Sequence, residues 1–241
     1  KSVSPVAGNT LKIINKASDF NENAANKVFG AVIIEGLHCF FDDPDDPNAK
    51  EIYLKNFHEF TDSNTVMSII LCNMQQNQFC NHAYGIQFFN PSYLAPNSRG
   101  ITKWGMEMIG LMSEKKILVD IKHMSLKARL ELYTYYNPNG DNQFKHPLIC
   151  THAGTTGLSL EDRVKYLLCQ PVDKGLIYEV VYLKPLSRHF ENTYHNCSSI
   201  NLYDEDISNI LLSGGIIGLS LDQRILGFAD ESVIPGLTVP I

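Results

Sequence analysis

An α/β fold built from successive strand–helix units is what this sequence predicts, and three observations carry the prediction. Short apolar runs dense in Val and Ile recur along the chain, and amphipathic stretches of helical period lie between several of them. The runs also lack strict polar alternation, which suits strands covered on both faces, as in a parallel sheet.

The runs FGAVIIEG (29–36), NTVMSIILCN (64–73), KKILVDIKH (115–123), HPLICTH (146–152) and GGIIGLSLD (214–222) read as the strands. Between them, WGMEMIGLMSEKK (104–116) sets Met106, Met108, Ile109 and Met112 on a buried helical stripe, with Lys in the last turn. SLKARLELYTYYN (125–137) repeats the design with Ser125 as N-cap, and DEDISNILLSGG (204–215) opens on acids and closes on Gly. Taken alone, this order through 104–222 fits a closed barrel and an open sheet equally. FFDDPDDPNAK (41–50) reads as a solvated loop: its prolines interrupt regular structure, and its aspartates lack the spacing of a calcium loop. Residues 164–203 read as an insertion with an extended pair around GLIYEVVYLKPL. No internal repeat is evident, and residues 1–241 read as one domain, close to the ~250 residues a β/α barrel uses.

Composition narrows the function classes. With 44% hydrophobic and 19% charged residues the chain is globular, and a formal charge of -6 gives no reason to expect nucleic acid or an anionic membrane surface as partner. No run approaches 18 uninterrupted apolar residues, so no transmembrane segment is expected, and no signal peptide is visible. The opening KSVSPVAGNT lacks an initiator Met, and the chain is expected to be incomplete at both ends, which leaves cytoplasmic and periplasmic or secreted locations open. The six cysteines form no CxxC pair and are read as buried free thiols. Asn196-Cys197-Ser198 is read as a chance match to a glycosylation acceptor.

The chemistry sits at strand ends. Glu35 closes AVIIE, His123 follows ILVDIK, and His152 follows PLICT. The C-terminal ends of barrel strands face one site, so these three would converge there. A carboxylate with two imidazoles suits a zinc-like divalent ion, which acidifies water and polarises a carbonyl. Asp120 lies on the His123 strand at an odd offset, so a regular strand could not face both inward. It reads either as a group that holds an imidazole tautomer or as a buried, hydrogen-bonded carboxylate. The Gly and Thr residues of THAGTTG (151–157) permit a tight turn beside a ligand, or an ordinary βα turn.

At these residues the chain resembles the membrane dipeptidase (renal dipeptidase) family of zinc peptidases, within the amidohydrolase-like barrels. AVIIEGLHCF is similar to the strand whose glutamate bridges two zincs, ILVDIKHMS to the Asp-x-x-His-x-Ser strand end, and PLICTHAG to a Ser-His-Ser segment. The resemblance therefore implies a (β/α)8 TIM-barrel fold, two Zn2+ ions, and Glu35, His123 and His152 as ligands. It further implies that His82, in NHAYG, holds the tetrahedral intermediate and that Arg163 takes a substrate carboxylate. It runs from about residue 29 to 222 and is strongest over 101–160. Two family features are missing: a His-x-Asp or His-x-His pair on the first strand, and a late Asp after the seventh.

The expected function is a dipeptidase-like hydrolysis of amide or peptide bonds by metal-activated hydroxide. The expected partner is a small peptide or amide substrate with a free carboxylate, and a homodimer is possible. A catalytically impaired barrel that serves as a binding or interaction module is the alternative.

Overall fold

The computed structural model describes residues 10–15, 17–23, 25–85, 99–136, 146–172, 177–182 and 193–229. In chain order, β1 (Thr10–Ile13), β2 (Lys27–Gly30) and β3 (Val32–Glu35) precede α1 (Ala49–Ser63), β4 (Val66–Ile70) and α2 (Lys103–Glu114). Next come β5 (Leu118–Asp120), α3 (Leu126–Tyr135), β6 (Leu148–Ala153), β7 (Leu167–Val172), β8 (Ile177–Tyr182) and β9 (Thr193–His195). The described chain closes with α4 (Asp204–Leu212), β10 (Ile217–Leu219), α5 (Gln223–Leu226) and β11 (Gly227–Ala229).

Five strands form one sheet in the order β10-β6-β5-β4-β3, and every neighbouring pair is parallel. All five C-terminal strand ends therefore point the same way. Consecutive residues Ser68, Ile69 and Ile70 of β4 are buried, as a strand covered on both faces requires. Among the described residues the sheet keeps two edges, β3 and β10, and does not close into an eight-stranded barrel. Beside it, β1 pairs with β2 in parallel, while β7–β8 and β9–β11 are antiparallel pairs.

Three of the elements read from sequence appear nearly as expected. Thr102 caps α2 by accepting from Gly105 N–H, Ser125 caps α3 by accepting from Ala128 N–H, and α4 begins at its acidic turn. Met108, Ile109 and Met112 are buried in the main core, and Met106 packs partly buried against it. The run FGAVIIEG is not one strand: it breaks at Ala31, so that β2 joins β1 while β3 joins β4. Helix α1 has no counterpart in the sequence reading. It buries only Tyr53 and Phe57, one turn apart, and its first residues, Ala49 and Lys50, end the stretch read as loop.

The core lies between these helices and the sheet. Tyr53 and Phe57 of α1, Met108 and Met112 of α2 and Leu132 of α3 meet Ile69, Val119, Ile121 and Leu148. Burial of each such side chain contributes about 1.5–3 kcal/mol. Phe41, Tyr53, Phe79 and Trp104 add a tilted and edge-on aromatic group, with centroids 4.7 Å apart for Phe79–Trp104 and for Phe41–Tyr53. Cys72, Cys80, Cys150 and Cys197 are buried free thiols as expected, whereas Cys39 is exposed. Asn196 is buried and donates to the Gly85 carbonyl, which suits the reading of its motif as chance.

Candidate metal centre

Each of the three strand-end residues is delivered by a different strand. Glu35 is the last residue of β3, and the turn behind it depends on Gly36, at φ +115, where an added Cβ would meet the His38 ring at 2.3 Å. His152 is the fifth residue of β6. His123 follows β5 after a turn in which Met124 N–H donates to the Ile121 carbonyl, and His123 itself sits at φ +64. That left-handed backbone is uncommon for a residue with a Cβ. It removes the offset problem: the strand stops at Asp120, so the alternation of a regular strand does not extend to His123.

The three side chains converge. His123 Nε2 lies 2.9 Å from Glu35 Oε1 and His152 Nε2 lies 3.5 Å from the same oxygen. One ligand atom from each falls within 4.8 Å of the others, and this is the one such group among the described residues. The imidazole rings stand 5.3 Å apart at 66°. The His123 side chain is 1% exposed, while Glu35 and His152 are 45% and 37% exposed, so the site opens to solvent on one side.

The electrostatics suit a cation. The hydrogen bond from His123 holds the Glu35 carboxyl below its usual range. Burial pushes the His123 imidazole down to about 4 and lowers that of His152, so both rings are neutral near pH 7, the form that offers a lone pair. His123 Nδ1 is buried and has no hydrogen-bond partner among the described residues. The donor set of one carboxylate and two neutral imidazoles therefore fits a divalent ion of the zinc class.

Behind the ligands lies a layer that the sequence reading found only in part. Asp120 is buried and accepts on Oδ1 from the backbone N–H of Lys122 (3.0 Å) and of Thr151 (3.3 Å), while its Oδ2 accepts from the Thr151 hydroxyl at 2.5 Å. Desolvation raises its carboxyl pKa against those bonds. Thr151 Oγ1 also stands 2.9 Å from His152 Nδ1. The buried Lys122 donates from Nζ to the Ile200 carbonyl at 3.1 Å, and burial lowers its ammonium to about 8. Thr151 and Lys122 carry a readable signal, each being a polar residue inside an otherwise apolar strand run.

The other expected site residues are placed differently. His82 adjoins the centre through its backbone: it forms an antiparallel bridge with Met124, and Ala83 N–H donates to the His123 carbonyl. The buried His82 ring donates from Nδ1 to the Ala83 carbonyl at 2.8 Å and lies 5.1 Å from the Tyr84 ring. Arg163 sits in a short 3-10 helix (Asp162–Lys165), with its guanidinium 5.9 Å over the Tyr203 ring. None of the contacts described for it reaches Glu35, His123 or His152. A cleft of about 490 Å³ that includes Asp62, Lys115 and Lys116 also lies away from the centre, at the opposite end of the sheet.

The chain thus carries, at the C-terminal edge of a five-stranded parallel sheet, a cluster of one carboxylate and two imidazoles that could hold a metal ion. Solved structures share that fold. The chain is 15% identical to a metallo peptidase from Rhodobacter sphaeroides liganded with a phosphinate mimic of the dipeptide L-Ala-D-Ala, at a TM-score of 0.51, covering 89% of this chain and 44% of that one. It is 14% identical to the probable dipeptidase PvdM from Pseudomonas aeruginosa, at a TM-score of 0.53, covering 90% and 40% respectively. A further metallo peptidase, dipeptidase AC, gives 14% identity, a TM-score of 0.50 and coverage of 89% and 45%. The chain thus spans less than half the length of the structures it matches. No protein-family model and no curated protein matches it.

Proposed function

We propose that this chain carries the metal centre of a hydrolase of amide bonds, with dipeptide-like substrates. One observation carries the reading: Glu35, His123 and His152, distant in sequence, place their ligand atoms within 4.8 Å of one another at one end of a parallel sheet. The fold shared with metallopeptidases supports it.

A divalent ion, when bound, supplies Lewis acidity that acidifies water and polarises a carbonyl. The chain's own groups do the rest. Glu35 and the two neutral imidazoles would hold the ion, and a second Zn2+ beside the Glu35 carboxylate belongs to the same proposal. His82, whose Nδ1 is engaged by the Ala83 carbonyl, would steady developing negative charge at the reacting carbonyl. Arg163 would take the substrate carboxylate in bidentate fashion, its guanidinium steadied on the Tyr203 face. Closure into an eight-stranded barrel and a single-domain organisation belong to the same proposal.

The reading as a binding module keeps one observation in its favour: among the described residues there is one group of three ligands and no second. Zinc-dependent hydrolysis separates the two. Zinc-loaded protein is expected to cleave a panel of dipeptides, and Arg163→Ala is expected to slow those with a free carboxylate by about 10-fold or more while sparing C-terminal amides. Zinc uptake without cleavage of any dipeptide or simple amide would favour the binding module.

A further inference from the structure

The two histidines of the centre differ in what stands behind them, and the difference fixes where each carries its proton. Asp120 as a carboxylate can only accept, and both of its oxygens are engaged, Oδ1 by two backbone N–H groups and Oδ2 by the Thr151 hydroxyl. A hydroxyl has one proton. Spent on Asp120, it leaves Thr151 Oγ1 as the acceptor in its 2.9 Å contact with His152 Nδ1. His152 must then carry its proton on Nδ1, and its Nε2 presents a bare lone pair 3.5 Å from the Glu35 oxygen. Two lone pairs facing each other with no proton between them make a cation site.

At His123 the logic runs the other way. Its Nε2 lies 2.9 Å from Glu35 Oε1, a carboxylate oxygen, so Nε2 is the donor. Its Nδ1 is buried with no partner among the described residues. A metal arriving at Nε2 would require that proton to move to Nδ1.

We propose that Thr151 is a positioning residue: it relays the charge of Asp120 to His152 and presets that ring as the Nδ1–H tautomer, ready to ligate, while metal-free His123 holds the opposite, Nε2–H tautomer. The proposal rests on the metal reading of the site but is read without a metal. Partners behind a ligating histidine commonly fix its tautomer and strengthen its binding; here a threonine hydroxyl stands between carboxylate and ring, and one of the two ligands lacks such a partner.

The test uses the whole 241-residue chain, metal-free, with labelled histidines. Imidazole nitrogen shifts and one-bond couplings report each ring's tautomer, with His152→Gln and His123→Gln used for assignment. The expected result is Nδ1–H for His152 and Nε2–H for His123. Thr151→Val should remove the single-tautomer signature of His152, and Thr151→Ser should keep it. Zinc affinity should fall about 10- to 100-fold in Thr151→Val and recover to within about 3-fold in Thr151→Ser. His152 found as the Nε2–H form in the unaltered chain, or unchanged zinc affinity in Thr151→Val, overturns the relay. If the unaltered chain takes up no zinc, the metal reading falls, yet the tautomer spectrum still decides the relay.

Discussion

At the scale of single residues, the centre depends on groups held neutral inside the protein. Burial brings the His123 imidazole from an ordinary value near ~6.5 down to about 4. The folded-state value is thus depressed: between about pH 6.5 and 4 the unfolded chain binds a proton that the folded chain refuses. Stability from this group is complete above pH 6.5 and is lost as pH falls through about 4, a loss of about 3 kcal/mol. Urea denaturation of the metal-free protein at a series of pH values should show that decline, and His123→Gln should flatten it over the same window. An identical decline in the variant would remove His123 as its source. Glu35, His123 and His152 were legible in the sequence because each is a strong ligand type closing an apolar run. Thr151 stands out in the sequence only as a polar residue in an apolar run, and its role exists only once β5 and β6 lie side by side and Asp120 pairs with Ile149.

Elements are held in place by a buried polar assembly that no pattern in the sequence announces. Arg129 of α3 and Asp206 of α4 form an ion pair at 2.9 Å with both side chains at most 2% exposed. Asp206 also accepts from Tyr133 Oη at 2.7 Å and Tyr203 N–H at 2.9 Å, while Arg129 donates to the Ser199 carbonyl at 2.6 Å. The group ties α3 and α4 to residues 199–203, the stretch that Lys122 also reaches through Ile200. Removing one partner would strand the other charge in the interior. Asp206→Ala should therefore cost about 3–5 kcal/mol in chemical denaturation, whereas replacing both partners with apolar residues of similar size should cost much less. Equal losses in the single and double variants would mean that packing, not charge, is what matters there. The helices α2, α3 and α4 were readable from caps and apolar spacing. Helix α1 was not, since its two buried residues make a stripe too sparse to stand out and its start is merged with the Asp- and Pro-rich loop.

Across the whole molecule, what is legible is the order of strands and helices, and with it a parallel sheet whose C-terminal ends gather Glu35, His123 and His152. The strand extents were less so: β5 and β10 are three residues each within longer apolar runs, because apolar sequence marks burial and not the hydrogen-bonded ladder. Closure of the sheet was not decided by the pattern, and the described residues leave edges at β3 and β10. Apolar side chains are exposed at both, with Ile33 42% accessible on one and Leu219 69% on the other. Among the described residues no helix is long and apolar enough to cross a membrane. The solved structures share the fold over about nine-tenths of this chain but at 14–15% identity, so the claim of metal chemistry rests on the side-chain geometry of the centre.

That geometry is tested most directly by zinc titration calorimetry on the metal-free chain and on His152→Ala and Glu35→Ala. The account predicts uptake of at least one zinc by the unaltered chain, with the loss of a ligand abolishing that uptake or weakening it by about 100-fold or more. No uptake by the unaltered chain, or equal uptake by all three proteins, would contradict it.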